Sequence, residues 1–366
     1  MKLGIIGLPN SGKTTVFNAL TGQTVETGAW ATPIGEDAHV GIVKVPDSRI
    51  DRLSEIYKPK KTTYADVTCV DITGFAAGIS ASKQKAKVFD QAWDVDAFIH
   101  VVRGFEDPSV VHADGVLDPA RDAAALDLEL VFHDLELTET RLERIATSIK
   151  KGIGKGLEPE RDILERFRRQ LEEEKPLRNL EISDKEHAVI GSLQFVSLKP
   201  ELVVLNVGED EISSEATGAQ LAALGAHFEG KDAEVFSLCG EIEMELTRLE
   251  PDDAAAFLDD LGIGEPAMNM VIHKAYALLG LISFFTVGDD EVRAWTIRQG
   301  THAVGAAGKI HSDIERGFIR AETIGYDDFI TANGSMAKGK ELGTLRLEGK
   351  DYEVRDGDII NFRFNI

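Results

Sequence analysis

A chain of 366 residues is too long for one ordinary domain and long enough for two or three, each with its own core. A hydrophobic fraction of 43% and a charged fraction of 28% exclude a disordered or fibrous chain, and a formal net charge of −23 excludes broad, nonspecific attraction to nucleic acid, because the whole-molecule field repels phosphate. No apolar run reaches the length of a membrane span, no secretory leader is recognisable, and the two cysteines, Cys69 and Cys239, sit in apolar strand-like stretches, so the expectation is a reduced, cytoplasmic compartment and no membrane partner.

From Met1 to about Arg103, short β-rich runs alternate with helical stretches, the pattern of a parallel sheet wrapped by helices. Strands are expected at Leu3–Ile6, Val40–Val45, Tyr64–Val70 and Ala97–Val102. The first strand runs into Gly7-Leu8-Pro9-Asn10-Ser11-Gly12-Lys13-Thr14, which satisfies G-x-x-x-x-G-K-[ST] and precedes a helix expected over Lys13–Leu20. Glycines at both ends let the backbone curl so that successive N–H groups face phosphates, and the helix N-terminus favours negative charge. Asn10, Ser11, Gly12, Lys13, Thr14 and Thr15 are therefore nucleotide-binding candidates, with Lys13 on the β and γ phosphates and the Thr14 hydroxyl on Mg²⁺. The alternative, a chance glycine-rich turn, does not explain the elements that follow.

Gly22–Ala38 is polar and suited to a switch loop ordered by the γ-phosphate; Thr32 is the first choice for the hydroxyl that contacts Mg²⁺, with Thr24 and Thr27 as competitors. Asp71-Ile72-Thr73-Gly74 ends the third strand, where P-loop enzymes place a carboxylate for Mg²⁺ and a glycine N–H for the γ-phosphate. Phe75 stands where Ras-type GTPases carry a water-orienting Gln, so the catalytic group must come from elsewhere.

From about Arg121 to Lys199 apolar residues recur at helical spacing within a highly charged stretch, which predicts two long antiparallel helices joined at Lys150-Lys151-Gly152-Ile153-Gly154-Lys155-Gly156. This is either a solvated hairpin or an RNA-binding arm. The sheet pattern resumes at Leu202–Leu205 and Ala233–Ser237, with a helix at Glu215–Leu224 between them. Asn206-Val207-Gly208-Glu209 ends the first of these strands, where guanine-specific GTPases show N-K-x-D; the Lys and the Asp are both replaced, which weakens guanine selectivity and leaves Asn206, Val207 and Glu209 to meet adenine. Ser237 and Leu238 are further base-binding candidates through their backbone. Beyond Leu261–Pro266 come a short helix and a compact mixed β segment, Leu281–Ile366.

With those elements in order, the chain resembles the YchF/Obg-like ATPase family over essentially its whole length. The resemblance is carried by Gly7–Asn10, Phe105-Glu106-Asp107, Asn206–Glu209, Glu291–Arg298, Gly317–Glu322 and Gly357–Asn361. It implies an α/β P-loop G domain (1–120 and 200–265), an inserted helical hairpin (121–199) and a C-terminal β-grasp-like TGS domain (281–366). It further implies hydrolysis of ATP in preference to GTP, His112 as a catalytic residue, and ribosome or RNA contact through the hairpin and the TGS domain. Asn10 matches a P-loop asparagine associated with K⁺. Two departures stand out: the family's D-I-A-G reads with Thr73 here, and the glycine-rich segment that follows is replaced by Ile79–Lys85. A monomer is expected, since no heptad run continues beyond the hairpin. The competing readings are a GTPase of the Obg class and a ribosome- or RNA-binding module that keeps nucleotide as a structural ligand.

Overall fold

The computed structural model describes residues 1–25, 38–76, 78–79, 85–107, 116–212, 214–228 and 233–365. In chain order these form β1 (Lys2–Ile6), α1 (Lys13–Thr21), β2 (His39–Lys44), α2 (Ser48–Tyr57), β3 (Lys61–Thr63), β4 (Asp66–Asp71), α3 (Lys85–Trp93) and β5 (Ala97–Arg103). The chain continues through α4 (Pro119–Lys150), α5 (Glu158–Glu172), α6 (Asp184–Ile190), β6 (Glu201–Asn206), α7 (Glu215–Phe228), β7 (Ala233–Leu238), α8 (Gly240–Leu246) and α9 (Pro251–Asp260). It closes with α10 (Ala267–Leu278), β8 (Leu281–Thr286), β9 (Glu291–Arg298), α11 (Ala303–Ile310), α12 (Ser312–Arg316), β10 (Phe318–Gly325), α13 (Tyr326–Thr331), α14 (Met336–Glu341), β11 (Arg346–Glu348) and β12 (Asp358–Phe364). Met1–Gly41 with Thr68–Met268 make one compact unit, and Ile42–Val67 with Asn269–Ile366 make another.

The first sheet has the order β2-β4-β1-β5-β6-β7, with β4, β1, β5, β6 and β7 parallel. Every residue of β5 and β6 is buried, as expected of central parallel strands covered on both faces. This is the α/β arrangement that the alternating pattern predicts. One face is packed by Ile6, Phe89, Phe98, Leu126 and Leu130 around Phe75.

The insertion between β5 and β6 begins cleanly. Asp118 caps α4 by accepting the Arg121 N–H, and Pro119 occupies the first turn, where a missing N–H costs nothing. α4 runs for 32 residues but α5 for only 15, because Glu174 turns into a left-handed φ of 59° and Pro176 follows, which stops the helix. The two helices share a core of Ile145, Ile163, Leu164, Phe167 and Leu171, and Arg141 forks onto Glu160 at 2.6 and 2.8 Å. The return segment is then fastened to α4. Asp134 accepts the Val196 N–H at 3.1 Å and the Ser197 N–H and hydroxyl at 2.7 and 2.6 Å. Nearby, buried Arg178 pairs with Asp127 of α4 and with Glu201 at the start of β6, while Glu201 also meets His100 of β5 at 2.5 Å. Burial works against the Arg178 charge, and Glu201 and Asp127 outweigh it, so the guanidinium is held more firmly protonated than usual.

In the second unit the sheet order is β11-β10-β12-β8-β9-β3. β8 and β9 form an antiparallel pair, β12 runs parallel to β8, and β10 is antiparallel to β12. α11 presents Ala303, Ala306 and Ala307 to Phe284, Phe318 and Phe362, small residues that let the helix lie close on the aromatic layer. The run expected as one strand over Tyr64–Val70 is β4 from Asp66; the residues before it, Lys61–Thr63, pair in parallel with Glu291–Arg293 of β9 instead. No helix among the described residues is long and apolar enough to cross a membrane.

Candidate nucleotide site

The loop between β1 and α1 is shaped by residues that leave no room for side chains. Gly12 has φ 90°, and a Cβ there would lie 2.1 Å from the Asn206 Nδ2; a Cβ on Gly7 would lie 2.3 Å from the Val101 carbonyl oxygen. Asn10 adopts φ 64° at the exposed top of the loop, a conformation asparagine tolerates better than most residues. The Lys13 ammonium folds back to donate to the Leu8 carbonyl at 3.1 Å. Its burial lowers the pKa, and the Asp71 charge opposes that fall.

Across from the loop, Thr14 donates its hydroxyl to Asp71 Oδ2 at 3.0 Å. Burial raises the Asp71 pKa, against the pull of Lys13, the Thr14 hydroxyl and His39. Two polar atoms here are buried with no hydrogen-bond partner, Asp71 Oδ1 and Ser11 Oγ. Leaving such groups unpaired costs roughly 1–3 kcal/mol each; a phosphate oxygen would accept from the Ser11 hydroxyl, and the water shell of a hydrated cation would donate to Asp71 Oδ1. Lys13, Thr14 and Asp71 thus fit an Mg²⁺–triphosphate, since Mg²⁺ is normally held by one or two carboxylates together with substrate phosphates.

Asn206 sits at the other side of the loop, and both ends of its amide are committed. Nδ2 donates to the Ser11 carbonyl at 3.1 Å, and Oδ1 accepts the Gly240 N–H at 2.9 Å. The side chain therefore clamps the phosphate loop to the end of β6 and to the start of α8. Val207 is buried in the core beside Leu224 and Phe228, and its N–H bonds the Leu238 carbonyl at 2.9 Å. Glu209 opens an exposed turn, Ser237 is half-buried in β7, and Leu238 is buried at that strand's end. Thr15 lies on α1, with its methyl 3.4 Å from where a Cβ on Gly240 would stand.

Phe75 is fully buried and meets Phe89 edge-on at 5.6 Å, so its ring is a core element with no access to water. Thr32 and His112 lie outside the described residues. Three contributors escape sequence reasoning. Gly240 supplies the N–H that orients Asn206, His39 is a neighbour that draws the Asp71 pKa down, and the Phe105 ring edge approaches to 4.0 Å the place a Cβ on Gly12 would occupy. Phe105 lies within the Phe-Glu-Asp stretch, which was the one signal available; its ring is in turn covered by Arg103 at 4.6 Å.

A parallel sheet whose first strand feeds a glycine-bounded loop, with a lysine and a threonine turned toward a buried strand-end aspartate, defines a P-loop nucleoside triphosphatase. A family model described as "50S ribosome-binding GTPase" matches residues 2–131, and the YchF-GTPase_C model, described as "Protein of unknown function (DUF933)", matches residues 281–365. The "Ribosome-binding ATPase YchF" of Bacillus subtilis is 42% identical over 364 residues, covering 99% of both chains. Its counterpart in Escherichia coli O157:H7 is 40% identical over 366 residues, covering 100% of this chain and 99% of the relative. The solved structure of the Schizosaccharomyces pombe YchF GTPase superposes with a TM-score of 0.86 at 30% identity, covering 99% of this chain and 97% of that one. The chain belongs to the YchF family.

Proposed function

We propose that the chain is an Mg²⁺-dependent nucleoside triphosphatase that prefers ATP to GTP and works as a nucleotide-gated, ribosome-binding switch. The observation that carries the reading is the pair of orphaned buried oxygens, Asp71 Oδ1 and Ser11 Oγ, beside Lys13 and the Thr14 hydroxyl. Lys13 holds the β and γ phosphates, Thr14 and Asp71 arrange the cation shell with Thr32, and Asn10 to Thr15 offer backbone N–H groups. Mg²⁺, when bound, neutralises charge on the phosphate oxygens. Asn206 acts by holding the loop and the Gly240 segment, since its amide is already engaged, while Glu209 and the backbone about Val207, Ser237 and Leu238 border the base. The preference for ATP is supported by the absence of the Lys and Asp of N-K-x-D and by the bacterial relatives' being named ATPases.

The layout proposed is a G domain over 1–120 and 200–265, a hairpin over 121–199, and a TGS domain of β-grasp form over 281–366. The parallel placing of β12 against β8 beside the β8–β9 hairpin supports the last. The protein acts as a cytoplasmic monomer, gripping the ribosome through hairpin and TGS domain.

Lys13→Ala tests the phosphate-binding step. A charged hydrogen bond is worth roughly 1.5–3 kcal/mol, so calorimetry with Mg²⁺ should show ATP affinity falling by about 10- to 100-fold. Unchanged affinity would remove the basis of the reading. Titrating GTP in the same cell ranks the two purines, and tighter GTP binding would replace the ATPase by a GTPase.

His112 is proposed to position the attacking water, and Asn10 to share a K⁺ with the phosphates. His112→Ala should slow single-turnover hydrolysis by about 100-fold, the lower end of general acid–base contributions, with ATP affinity nearly unchanged. The wild-type rate should fall when Na⁺ replaces K⁺. Loss of affinity in the variant, or indifference to the cation, would count against the respective role.

A further inference from the structure

The helical insertion carries many cations, but most of those in its body are already neutralised. Arg141 pairs with Glu160, Arg161 with Asp162, Arg166 with Glu186, Arg168 with Glu172, Lys175 with Glu173, and Arg178 with Asp127 and Glu201. The tip differs. Between Glu143 and Glu158 there is no acidic residue, and Arg144, Lys150, Lys151 and Lys155 are all exposed and make no ion pair among the described residues. In a chain of net charge −23 this is a local reversal of sign.

The tip is also built rather than frayed. Gly152, at φ 73°, donates to the Ile149 carbonyl at 3.0 Å, and Ile153 donates to the Ser148 carbonyl at 3.1 Å, the paired bonds of a Schellman motif that ends α4. Gly154 is buried against Ile149; a Cβ there would come within 2.8 Å of the Ile149 backbone. The apolar residue after the glycine in such a motif commonly packs back on the helix. Here the position it would reach holds Ser148 and Thr147, and Ile153 instead stands 72% exposed. Lysines at a helix C-terminus complement its dipole, which would account for Lys150 and Lys151 but not for Lys155 across the turn or for the exposed isoleucine.

We infer that the turn Lys150–Gly156 is an RNA-docking tip, with Lys150, Lys151 and Lys155 on backbone phosphates and Ile153 against a base or sugar face. The inference rests on the ribosome-binding reading above and names the part of the ribosome it engages. Against a net charge of −23, these lysines give the arm a local phosphate-binding end, and such a contact sets the arm's orientation without reading sequence.

The test uses the full chain and its triple variant Lys150→Ala/Lys151→Ala/Lys155→Ala, with ATP present, against purified ribosomes and against protein-free ribosomal RNA over a salt series. Three lost phosphate contacts should flatten the slope of log affinity against log salt by roughly 2 units and weaken binding to both probes, with ATP turnover in the absence of ribosomes unchanged. Ile153→Gln should weaken binding with no change of slope. If wild-type protein binds ribosomes and the triple variant binds with the same affinity and slope, the tip inference is overturned and the ribosomal reading survives. Sensitivity on ribosomes combined with none on bare RNA would make the partner a ribosomal protein and overturn the RNA assignment. No binding by wild-type protein to either probe would overturn both.

Discussion

Gly12→Ala should abolish measurable ATP uptake while leaving a folded protein. Two effects combine at this position. A left-handed backbone costs a non-glycine residue about 1–2 kcal/mol, and the new methyl would fall 2.1 Å from the Asn206 Nδ2, so the amide must leave. Its departure breaks the bonds to the Ser11 carbonyl and the Gly240 N–H, each worth about 1 kcal/mol or more when the partner is left buried. The phosphate loop then loses the clamp that holds it against β6 and α8. Calorimetry should show affinity reduced by more than about 100-fold, equivalent to roughly 2.7 kcal/mol. A double-variant cycle with Asn206→Ala separates the causes, because in that background the clash has no target. Gly12→Ala should then do little further harm beyond its backbone strain; a full additive loss would show that Asn206 is not the route of the damage.

The second large effect is expected from Arg178→Met. The substitution keeps the volume roughly constant and takes the guanidinium away from Asp127 and Glu201, which keep their contacts with His227 and His100; breaking a buried ion pair in this way costs about 3–5 kcal/mol. The urea midpoint for the unit containing β6 should fall accordingly, and adding Glu201→Gln should restore part of the loss by removing one of the two buried carboxylate charges. A shift below about 1 kcal/mol would mean that the cluster behaves like a surface ion pair, contrary to its burial.

Local patterns explain how much of this was legible in advance. The loop Gly7–Thr14 and Asp71 could be read from sequence because each lies at a strand end and carries its signal within a few consecutive residues. The non-polar nature of Phe75 was visible too, and its burial against Phe89 follows from that. Asn206 could be singled out at the end of its strand, but its occupation with Ser11 and Gly240 was not foreseeable, since those partners are 195 and 34 positions away. The same holds for Arg178, Asp127, Glu201 and His100. Read singly such residues look like solvated surface, and only the meeting of α4, β5, β6 and the segment around Arg178 buries them. Lys61–Thr63 is too short and too polar to signal a strand, and it becomes one only because β9 offers a free edge. The shortness of α5 could have been read from Glu174-Lys175-Pro176, since a proline shortly after a charged helical run is a stop signal.

β6 joins two anchors. Its first residue, Glu201, grips Arg178 at the base of the insertion, and its last, Asn206, grips the loop between β1 and α1. At about 3.3 Å per residue the two lie roughly 17 Å apart along one fully buried strand, with no hinge between them. The arm is thus mounted as a lever on a stiff spindle rather than hung on a string. The two fastenings, one at the foot of the arm and one at the β1–α1 loop, share a single unbroken run of main chain.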